Sequence, residues 1–207
     1  MRDPRLQGLY AVTDGRLVGE PLLAAVQAAL VGGVRIVQYR DKTGEIHRRQ
    51  DEAARLVKLC HERGALLLIN DDSELALAVG ADGVHLGQRD TPLSVAREQL
   101  GPDKLIGVSC NNRLDRALAA QQAGADYVAF GRFFASTTKP DAPPAELALI
   151  EQARQQLDLP LAAIGGITPD NAPQLHTAGA DMLAVVNALF SQDDIETAAR
   201  RLSRCFD

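Results

Sequence analysis

Residues 22–70 decide the fold: LLAAVQAALVGGVRIVQYRDKTGEIHRRQDEAARLVKLCHERGALLLIN. Two aliphatic runs in this stretch, Val34–Tyr39 and Ala65–Asn70, have the length and composition of buried β-strands. Between Leu22 and Leu30, and more weakly between the two runs, apolar residues recur three or four positions apart, as on one face of a helix. The stretch therefore predicts helix, strand, helix and strand in succession.

The same alternation continues along the whole chain. Eight aliphatic runs are predicted strands, and helical segments lie between them: Leu9–Thr13, Val34–Tyr39, Ala65–Asn70, Gly83–Leu86, Leu105–Ser109, Tyr127–Phe130, Leu161–Ile164 and Met182–Val186. Eight such units predict a (β/α)8 TIM barrel, formed as a single domain by residues 1–207. A doubly wound open sheet is the alternative. In a barrel, functional residues are expected at the carboxyl ends of the strands.

A short repeat marks the start of three of these strands. The segments GADGVHL, GADYVAF and GADMLAV begin at Gly80, Gly124 and Gly179. We interpret each as the end of a helix, a turn and the first residues of a strand.

Composition and charge exclude several classes of protein. The chain carries 22 basic and 27 acidic residues, so its net charge is −5, which disfavours a nucleic-acid partner. No apolar run approaches the roughly 18 residues of a membrane span. The three cysteines form no CxxC pair and are odd in number, which favours a reducing compartment. We expect a cytoplasmic protein without membrane or nucleic-acid partners; whether it is a homo-oligomer is left open.

The second predicted strand ends in an amide and two cations. Because side chains alternate along a strand, Gln38 and Arg40 share a face, and Lys42 continues it if the chain stays extended. Two cations on a face without an acid favour a polyanion such as diphosphate. The alternative is a strand that simply leaves the core for solvent.

Carboxylates follow the next two predicted strands. Asp71 and Asp90 come just after adjacent strand ends, where two carboxylates could hold a divalent cation together with water and ligand phosphate. Asp71 or Asp72 could instead cap the short helix that follows, and Asp72 is the better candidate for that role.

Further anion-binding groups are predicted after strands five to eight. Ser109 could hydrogen-bond a ligand, and the sequence 136–139, Ser-Thr-Thr-Lys, combines three hydroxyls with one cation. The glycine pair after strand seven and the backbone near Asn187 match the phosphate site that many barrels have. A polar surface loop in the first case and a tight turn in the second would explain the same residues without a ligand.

Taken in order, these blocks resemble the thiamine-phosphate synthase family nearly from end to end. The segments that carry the resemblance are GLYAVTD (8–14), QYRDK (38–42), INDD (69–72), GVHLGQRD (83–90), GVSCN (107–111), STTKPDAP (136–143), AIGGI (163–167) and GADMLAVVNALF (179–190). The resemblance implies a (β/α)8 transferase. It would join 4-amino-2-methyl-5-hydroxymethylpyrimidine diphosphate to 4-methyl-5-(2-phosphoethyl)thiazole, or its carboxylate, releasing pyrophosphate.

The resemblance also implies roles for individual residues. Asp71 and Asp90 would hold Mg²⁺, and Arg40, Ser109 and Lys139 would be the catalytic groups. The pyrimidine diphosphate would be bound by Gln38, Tyr39, Arg40, Asp41, Lys42, Asn70, Ser109 and Lys139. The thiazole phosphate would be bound by Ser136, Thr137, Thr138, Gly166, Val186 and Asn187.

Three positions depart from the family's usual pattern. Cys110-Asn111 replaces a Thr-His or similar pair, Arg132 replaces a proline, and Asn187 replaces a serine. A related thiazole tautomerase is a rival interpretation, although it would need an acid–base residue where Cys110 stands. A non-catalytic sensor of thiamine phosphate and an unrelated phosphate-binding barrel are two further interpretations of the same pattern.

Overall fold

The computed structural model describes residues 3–88, 90–136 and 143–207. Its eight parallel strands close into a barrel in chain order, and helices alternate with them. The strands are β1 (Gly8–Val12), β2 (Val34–Tyr39), β3 (Leu66–Asn70), β4 (Gly83–Leu86), β5 (Leu105–Asn111), β6 (Tyr127–Gly131), β7 (Leu161–Ile164) and β8 (Met182–Val185). The predicted TIM barrel is confirmed, and an open sheet is excluded by the pairing of β8 with β1.

The helices pack around the barrel. They are α1 (Gly19–Val31), α2 (Ile46–Glu62), α3 (Ser73–Val79), α4 (Leu93–Leu100), α5 (Leu114–Gln122), α6 (Leu147–Gln156), α7 (Ala172–Thr177), α8 (Asn187–Phe190) and α9 (Ile195–Ser203), and a 3₁₀ turn follows at Arg204–Phe206. No helix in the described parts of the chain is long and apolar enough to cross a membrane.

The alternation of side chains along each strand separates two apolar layers. In β2, Val37 and Tyr39 pack outward against the helices, while Ile36 faces the barrel interior. In β1, Leu9 belongs to the outer layer and Tyr10 to the inner one. Because the interior is narrow, it takes mostly aliphatic side chains, and the few polar ones there must find partners.

Three aspartates tie neighbouring strands together at the amino end of the barrel. The carboxylates of Asp82, Asp126 and Asp181 accept the backbone N–H of a neighbouring strand, at 2.8, 2.7 and 2.7 Å. Each also pairs with a basic side chain from a helix, namely His61, Arg97 and Arg154 in the same order. The GAD repeat therefore does more than end a helix, because its aspartate satisfies a strand N–H that the barrel would otherwise leave unpaired.

We expect Asp181→Ala to lower the free energy of unfolding by about 1–3 kcal/mol, since it leaves a part-buried N–H and the Arg154 guanidinium without this acceptor. Urea denaturation followed by circular dichroism measures the change. Asp193→Ala, at an exposed position, is the matched control and should change stability by less than about 0.5 kcal/mol. Equal losses of stability in the two variants would contradict the role of Asp181 in joining β7 to the start of β8.

Candidate active site

Two neighbouring cavities open at the carboxyl ends of the strands. The first has a volume of about 400 Å³ and lies over the barrel interior and the ends of β6, β7 and β8. The second, of about 380 Å³, lies among the loops after β2, β3 and β4. Asn70, at the end of β3, lines both. The barrel thus offers two adjoining binding spaces with one shared amide.

The end of β2 supplies groups to both cavities. Gln38 is 4% exposed and lines the first cavity together with Arg40. Within the described parts of the chain, no side chain pairs with the Arg40 guanidinium, so its charge is available to a ligand. Lys42 lines the second cavity, where its Nζ lies 3.0 Å from Asp71 Oδ2. Gln38 and Arg40 line the same cavity, as their spacing predicted, whereas Lys42 does not continue their face and turns to the second cavity beside Asp71.

Tyr39 and Asp41, which alternate along the chain with Gln38, Arg40 and Lys42, have other partners. Tyr39 packs outward, and its hydroxyl donates to Glu52 Oε2 at 2.6 Å, a contact that together with burial raises the pKa of Tyr39. Asp41 contributes to the wall of the second cavity, but its carboxylate is 2% exposed and pairs with Arg48 at 2.9 Å. Both side chains were predicted to bind diphosphate; the structure instead has their polar atoms holding the β2–α2 loop against α2.

Asp71 and Asp90 lie together, as the sequence predicted. Both carboxyl groups lie beside Gly87, where a Cβ would fall 2.4 Å from Asp90 Oδ2 and 3.9 Å from Asp71 Oδ1. Asp90 Oδ2 accepts the Gly87 N–H at 2.8 Å. Asp71 has a left-handed backbone (φ 64°), and its N–H donates to the carbonyl of His85, 2.9 Å away. The predicted cap is Asp72, whose Oδ1 accepts the Leu75 N–H at 2.9 Å at the start of α3. Asp71 is therefore left for the cavity.

The surroundings of Asp71 and Asp90 shift the pKa values of their carboxyl groups in opposite directions. Burial raises the pKa of Asp90, and the adjacent Asp71 carboxylate raises it further. Burial acts in the same direction on Asp71, but hydrogen bonds with Asp90 and Lys42 outweigh it, and the pKa of Asp71 is lowered. The two pKa values move apart because each carboxylate disfavours a second negative charge beside it, while Lys42 favours the charge on Asp71.

This carboxylate pair fits a magnesium ion better than a transition metal. Among the described residues, no group of three His, Cys, Asp or Glu side chains could hold a metal ion, which argues against a complete protein cage. Mg²⁺ is commonly held by only one or two carboxylates, with water and substrate phosphate as its other ligands. The oxygen ligands of Asp71 and Asp90 meet that requirement beside the second cavity.

Ser109 ends a line of buried polar groups that the strand pattern alone did not identify. Its Oγ lies 2.8 Å from His85 Nε2, and His85 Nδ1 lies 2.7 Å from the hydroxyl of Tyr127. That hydroxyl is 2.9 Å from the hydroxyl of Tyr10, which accepts from Gln38 Nε2 at 2.7 Å. Strand alternation, which places Tyr10 and Tyr127 inside the barrel, was the available signal for these two residues.

The ends of β7 and β8 form the far wall of the first cavity. Gly166, Val186 and Asn187 line it, and so does Ser136. Gly166 has φ 64°, and a Cβ there would lie 2.3 Å from the carbonyl oxygen of Ala135, so the loop after β6 packs directly on this glycine.

Asn187 is held at that wall by a cation from the β1–α1 loop. Arg16 Nη2 donates to Asn187 Oδ1 at 2.6 Å and to Ser191 Oγ at 3.1 Å. Three predicted anion-binding residues, Thr137, Thr138 and Lys139, lie outside the described residues.

A closed parallel barrel with two cavities at the carboxyl ends of its strands has the architecture of the (β/α)8 enzymes. Comparison with known proteins identifies the family. A family model described as thiamine monophosphate synthase matches residues 9–189, and the chain belongs to this family.

Individual relatives agree along nearly the whole chain. The thiamine-phosphate synthase of Alcanivorax borkumensis is 56% identical over 98% of this chain and 95% of its own length. That of Thioalkalivibrio sulfidiphilus is 53% identical, with 98% and 97% covered. The structure of thiamine phosphate pyrophosphorylase from Pyrococcus furiosus has a TM-score of 0.90 and 35% identity, covering 98% of this chain and 97% of that one. These relationships confirm the family resemblance and place the protein among transferases.

A more distant structure shows how widely the scaffold is used. A 3-hexulose-6-phosphate synthase matches with a TM-score of 0.71 at 20% identity, which demonstrates a shared barrel and nothing about shared chemistry. Function must therefore be argued from the site.

We expect Asp90→Asn to raise the thermal midpoint of the metal-free protein at pH 7, because it removes a carboxylate that burial and Asp71 both disfavour. An acid whose pKa is raised by folding destabilises the fold above its unfolded pKa, so this gain should vanish as the pH falls below about 4. Asp71→Asn is the matched comparison and should lower the midpoint, since the pKa of Asp71 is lowered. Differential scanning fluorimetry with a chelator measures both, and shifts of the same sign would contradict the arrangement.

Proposed function

We propose that the protein is a thiamine-phosphate synthase. It joins 4-amino-2-methyl-5-hydroxymethylpyrimidine diphosphate to 4-methyl-5-(2-phosphoethyl)thiazole, or to its carboxylate, and releases pyrophosphate, together with carbon dioxide when the carboxylate is the substrate. The observation that carries this proposal is the pair of adjoining cavities, because a reaction between two phosphorylated molecules needs two anion sites that meet. The names of relatives that are 53–56% identical over almost the whole chain support the same reaction.

The diphosphate is assigned to the side of β2 and β3. Arg40 and Lys42 supply positive charge there, and Asn70 connects the two cavities at their shared edge. Ser109, within β5, lines neither cavity, but its Oγ lies 2.8 Å from His85 of the first-cavity wall, and its hydroxyl is assigned to the diphosphate. Lys139 is proposed to complete the set from the loop after β6. Cations at these positions bind the substrate and stabilise the charge that accumulates on the departing diphosphate.

Asp71 and Asp90 are proposed to hold Mg²⁺ beside this diphosphate. When bound, the ion would neutralise negative charge on the phosphate oxygens and so make diphosphate a better leaving group. Lys42, 3.0 Å from Asp71 Oδ2, lies close enough to share the same phosphate oxygens. The paired carboxylates and the lysine then act on one end of the substrate.

The thiazole phosphate is assigned to the opposite wall of the first cavity. Gly166, Val186 and Asn187 line that wall, and Ser136 lies at its edge. Gly166 accommodates the carbonyl of Ala135 where a Cβ would lie, and Arg16 fixes the orientation of the Asn187 amide. Thr137 and Thr138 are proposed to complete this site.

The proposed reaction is dissociative. The bond between the pyrimidine methylene carbon and the diphosphate oxygen breaks, its electron pair leaves with diphosphate, and the electron-rich aminopyrimidine stabilises the resulting cation. The thiazole nitrogen then supplies the electron pair of the new carbon–nitrogen bond. Apolar walls from Val12, Ala129 and Ile164 keep water from the cation.

This route needs no protein nucleophile. The thiol of Cys110, near the carboxyl end of β5, is also in no position to act as one. Cys110 is fully buried, and burial raises its pKa to about 12. A thiol held in that form is a poor nucleophile and a poor base at neutral pH. It therefore also fails to supply the acid–base residue that a thiazole tautomerase would need.

The assignment is tested by mixing purified protein with the pyrimidine diphosphate, the thiazole phosphate and Mg²⁺, and reading thiamine phosphate as fluorescent thiochrome. We expect product that disappears when the metal is chelated, and Asp90→Asn should need more Mg²⁺ to reach half its maximal rate. Folded protein that forms no product would refute the synthase assignment and favour a tautomerase or a sensor.

We expect Arg40→Ala to raise the KM for the pyrimidine diphosphate on the order of tenfold or more, since one charge-assisted contact to phosphate is lost. The KM for the thiazole phosphate should change little. Arg35→Ala is the matched control, because Arg35 lies exposed at the opposite end of the same strand. Steady-state kinetics with each substrate varied in turn gives both constants. An effect confined to the thiazole phosphate would reverse the assignment of the two cavities.

A further inference from the structure

The line of polar groups from Gln38 to Ser109 crosses the barrel interior without interruption. It consists of four hydrogen bonds, between 2.7 and 2.9 Å long, that join side chains from five strands: Gln38, Tyr10, Tyr127, His85 and Ser109. The proposed chemistry uses one end, Ser109, and the other end, Gln38, lines the first cavity. That chemistry leaves the three inner members without a role.

The inner members are enclosed by the barrel. Tyr10 is 1% exposed, Tyr127 is fully buried and His85 is 8% exposed. Burial raises the pKa of both tyrosines, so each hydroxyl keeps its proton at neutral pH. Each of these protons must therefore be donated within the line, because no other partner of either hydroxyl is present among the described residues.

The Gln38 amide nitrogen can only donate, and it therefore sets the direction of the hydrogen bonds along the line. The Gln38 amide nitrogen lies against the Tyr10 hydroxyl, so Tyr10 accepts there and has its own proton to place. The Tyr127 oxygen is its acceptor, and Tyr127 in turn donates to His85 Nδ1. A neutral His85 that accepts at Nδ1 carries its proton on Nε2 and donates it to Ser109 Oγ.

With its oxygen accepting from His85, the Ser109 hydroxyl has no acceptor for its own hydrogen among the described residues. Ser109 lines neither cavity, but its Oγ lies 2.8 Å from His85, which lines the first one. We propose that Tyr127 and Tyr10 are positioning residues that fix the Nε2–H tautomer of His85 and thereby make Ser109 a hydrogen-bond donor to the departing diphosphate. The part concerning diphosphate rests on the proposed function, whereas the tautomer follows from the hydrogen bonds alone. No proton is transferred in this arrangement, since each group keeps its own.

The other end of the line has the opposite character. With its nitrogen engaged by Tyr10, the Gln38 side chain presents its Oε1 acceptor toward the first cavity. The line thus offers an acceptor at Gln38 and a donor at Ser109. A substrate that bears an amino group at one end and anionic oxygens at the other matches both ends, whereas the reversed orientation would mismatch both.

The tautomer can be measured directly. Nitrogen-15 NMR of histidine-labelled protein distinguishes a protonated ring nitrogen from an unprotonated one, and His85→Asn assigns the signal among the four histidines. We expect Nε2 protonated and Nδ1 unprotonated in the wild type. Tyr127→Phe should give a mixture of tautomers, and Tyr10→Phe a smaller change in the same direction. A wild-type His85 protonated on Nδ1 would mean that the line runs the other way, and would overturn the proposal.

A double-mutant cycle tests whether the tyrosine acts through Ser109. We expect Tyr127→Phe to lower kcat about tenfold, the loss of roughly one hydrogen bond in the transition state, with little change in the KM for the thiazole phosphate. In a Ser109→Ala background the same substitution should have almost no further effect. A tenfold loss that persists without the serine hydroxyl would refute the positioning role.

Asp181→Ala separates positioning from general loss of stability. It weakens the barrel at the opposite end, and we expect it to leave the His85 signals unchanged. A change of tautomer in this control would show that the signals report stability, which would count against the proposal. If wild-type protein makes no thiamine phosphate, the proposed function falls, while the NMR result still decides the tautomer.

Discussion

Barrel closure is the constraint on which the rest of the molecule depends. Once β8 pairs with β1, each strand must send alternate side chains into a narrow interior from which they cannot turn away. Aliphatic residues fill most of that space, and a polar residue is tolerated only where a partner faces it. The line from Gln38 to Ser109 is how this barrel accommodates five polar side chains near its functional end.

The amino end of the barrel carries interactions that stabilise the fold, and the carboxyl end carries the candidate site. At the amino end, three aspartates each bind a strand N–H and a basic side chain, so their charge is fully used. At the carboxyl end, Arg40 has no side-chain partner among the described residues, and the carboxyl groups of Asp71 and Asp90 repel each other. Some of the charge at the carboxyl end, that of Arg40 above all, is thus left for a ligand, whereas the three aspartates at the amino end are engaged within the scaffold.

Periodicity predicted the fold because eight strands and their helices each carry a local signal. It also predicted the face shared by Gln38 and Arg40, and the distinction between Asp71 in the cavity and Asp72 as a cap. The partners of Tyr39 and Asp41 were not predictable, since Glu52 and Arg48 meet them only through packing of α2. The hydrogen bonds of Tyr10 and Tyr127 were not predictable for the same reason. A strand pattern shows that a side chain points inward, but it does not show which polar group that side chain contacts.

Gly107 shows how the hydrogen-bonded line from Gln38 to Ser109 restricts substitution at a neighbouring position. It lies beside the ring of Tyr127, and a Cβ there would fall 2.0 Å from the ring carbon Cζ. A larger residue at position 107 therefore requires the Tyr127 ring to move or to be replaced, and either change disturbs the hydroxyl bonded to His85. Substitutions at positions 107 and 127 are consequently coupled, since the side-chain volume that one position can take depends on the residue at the other.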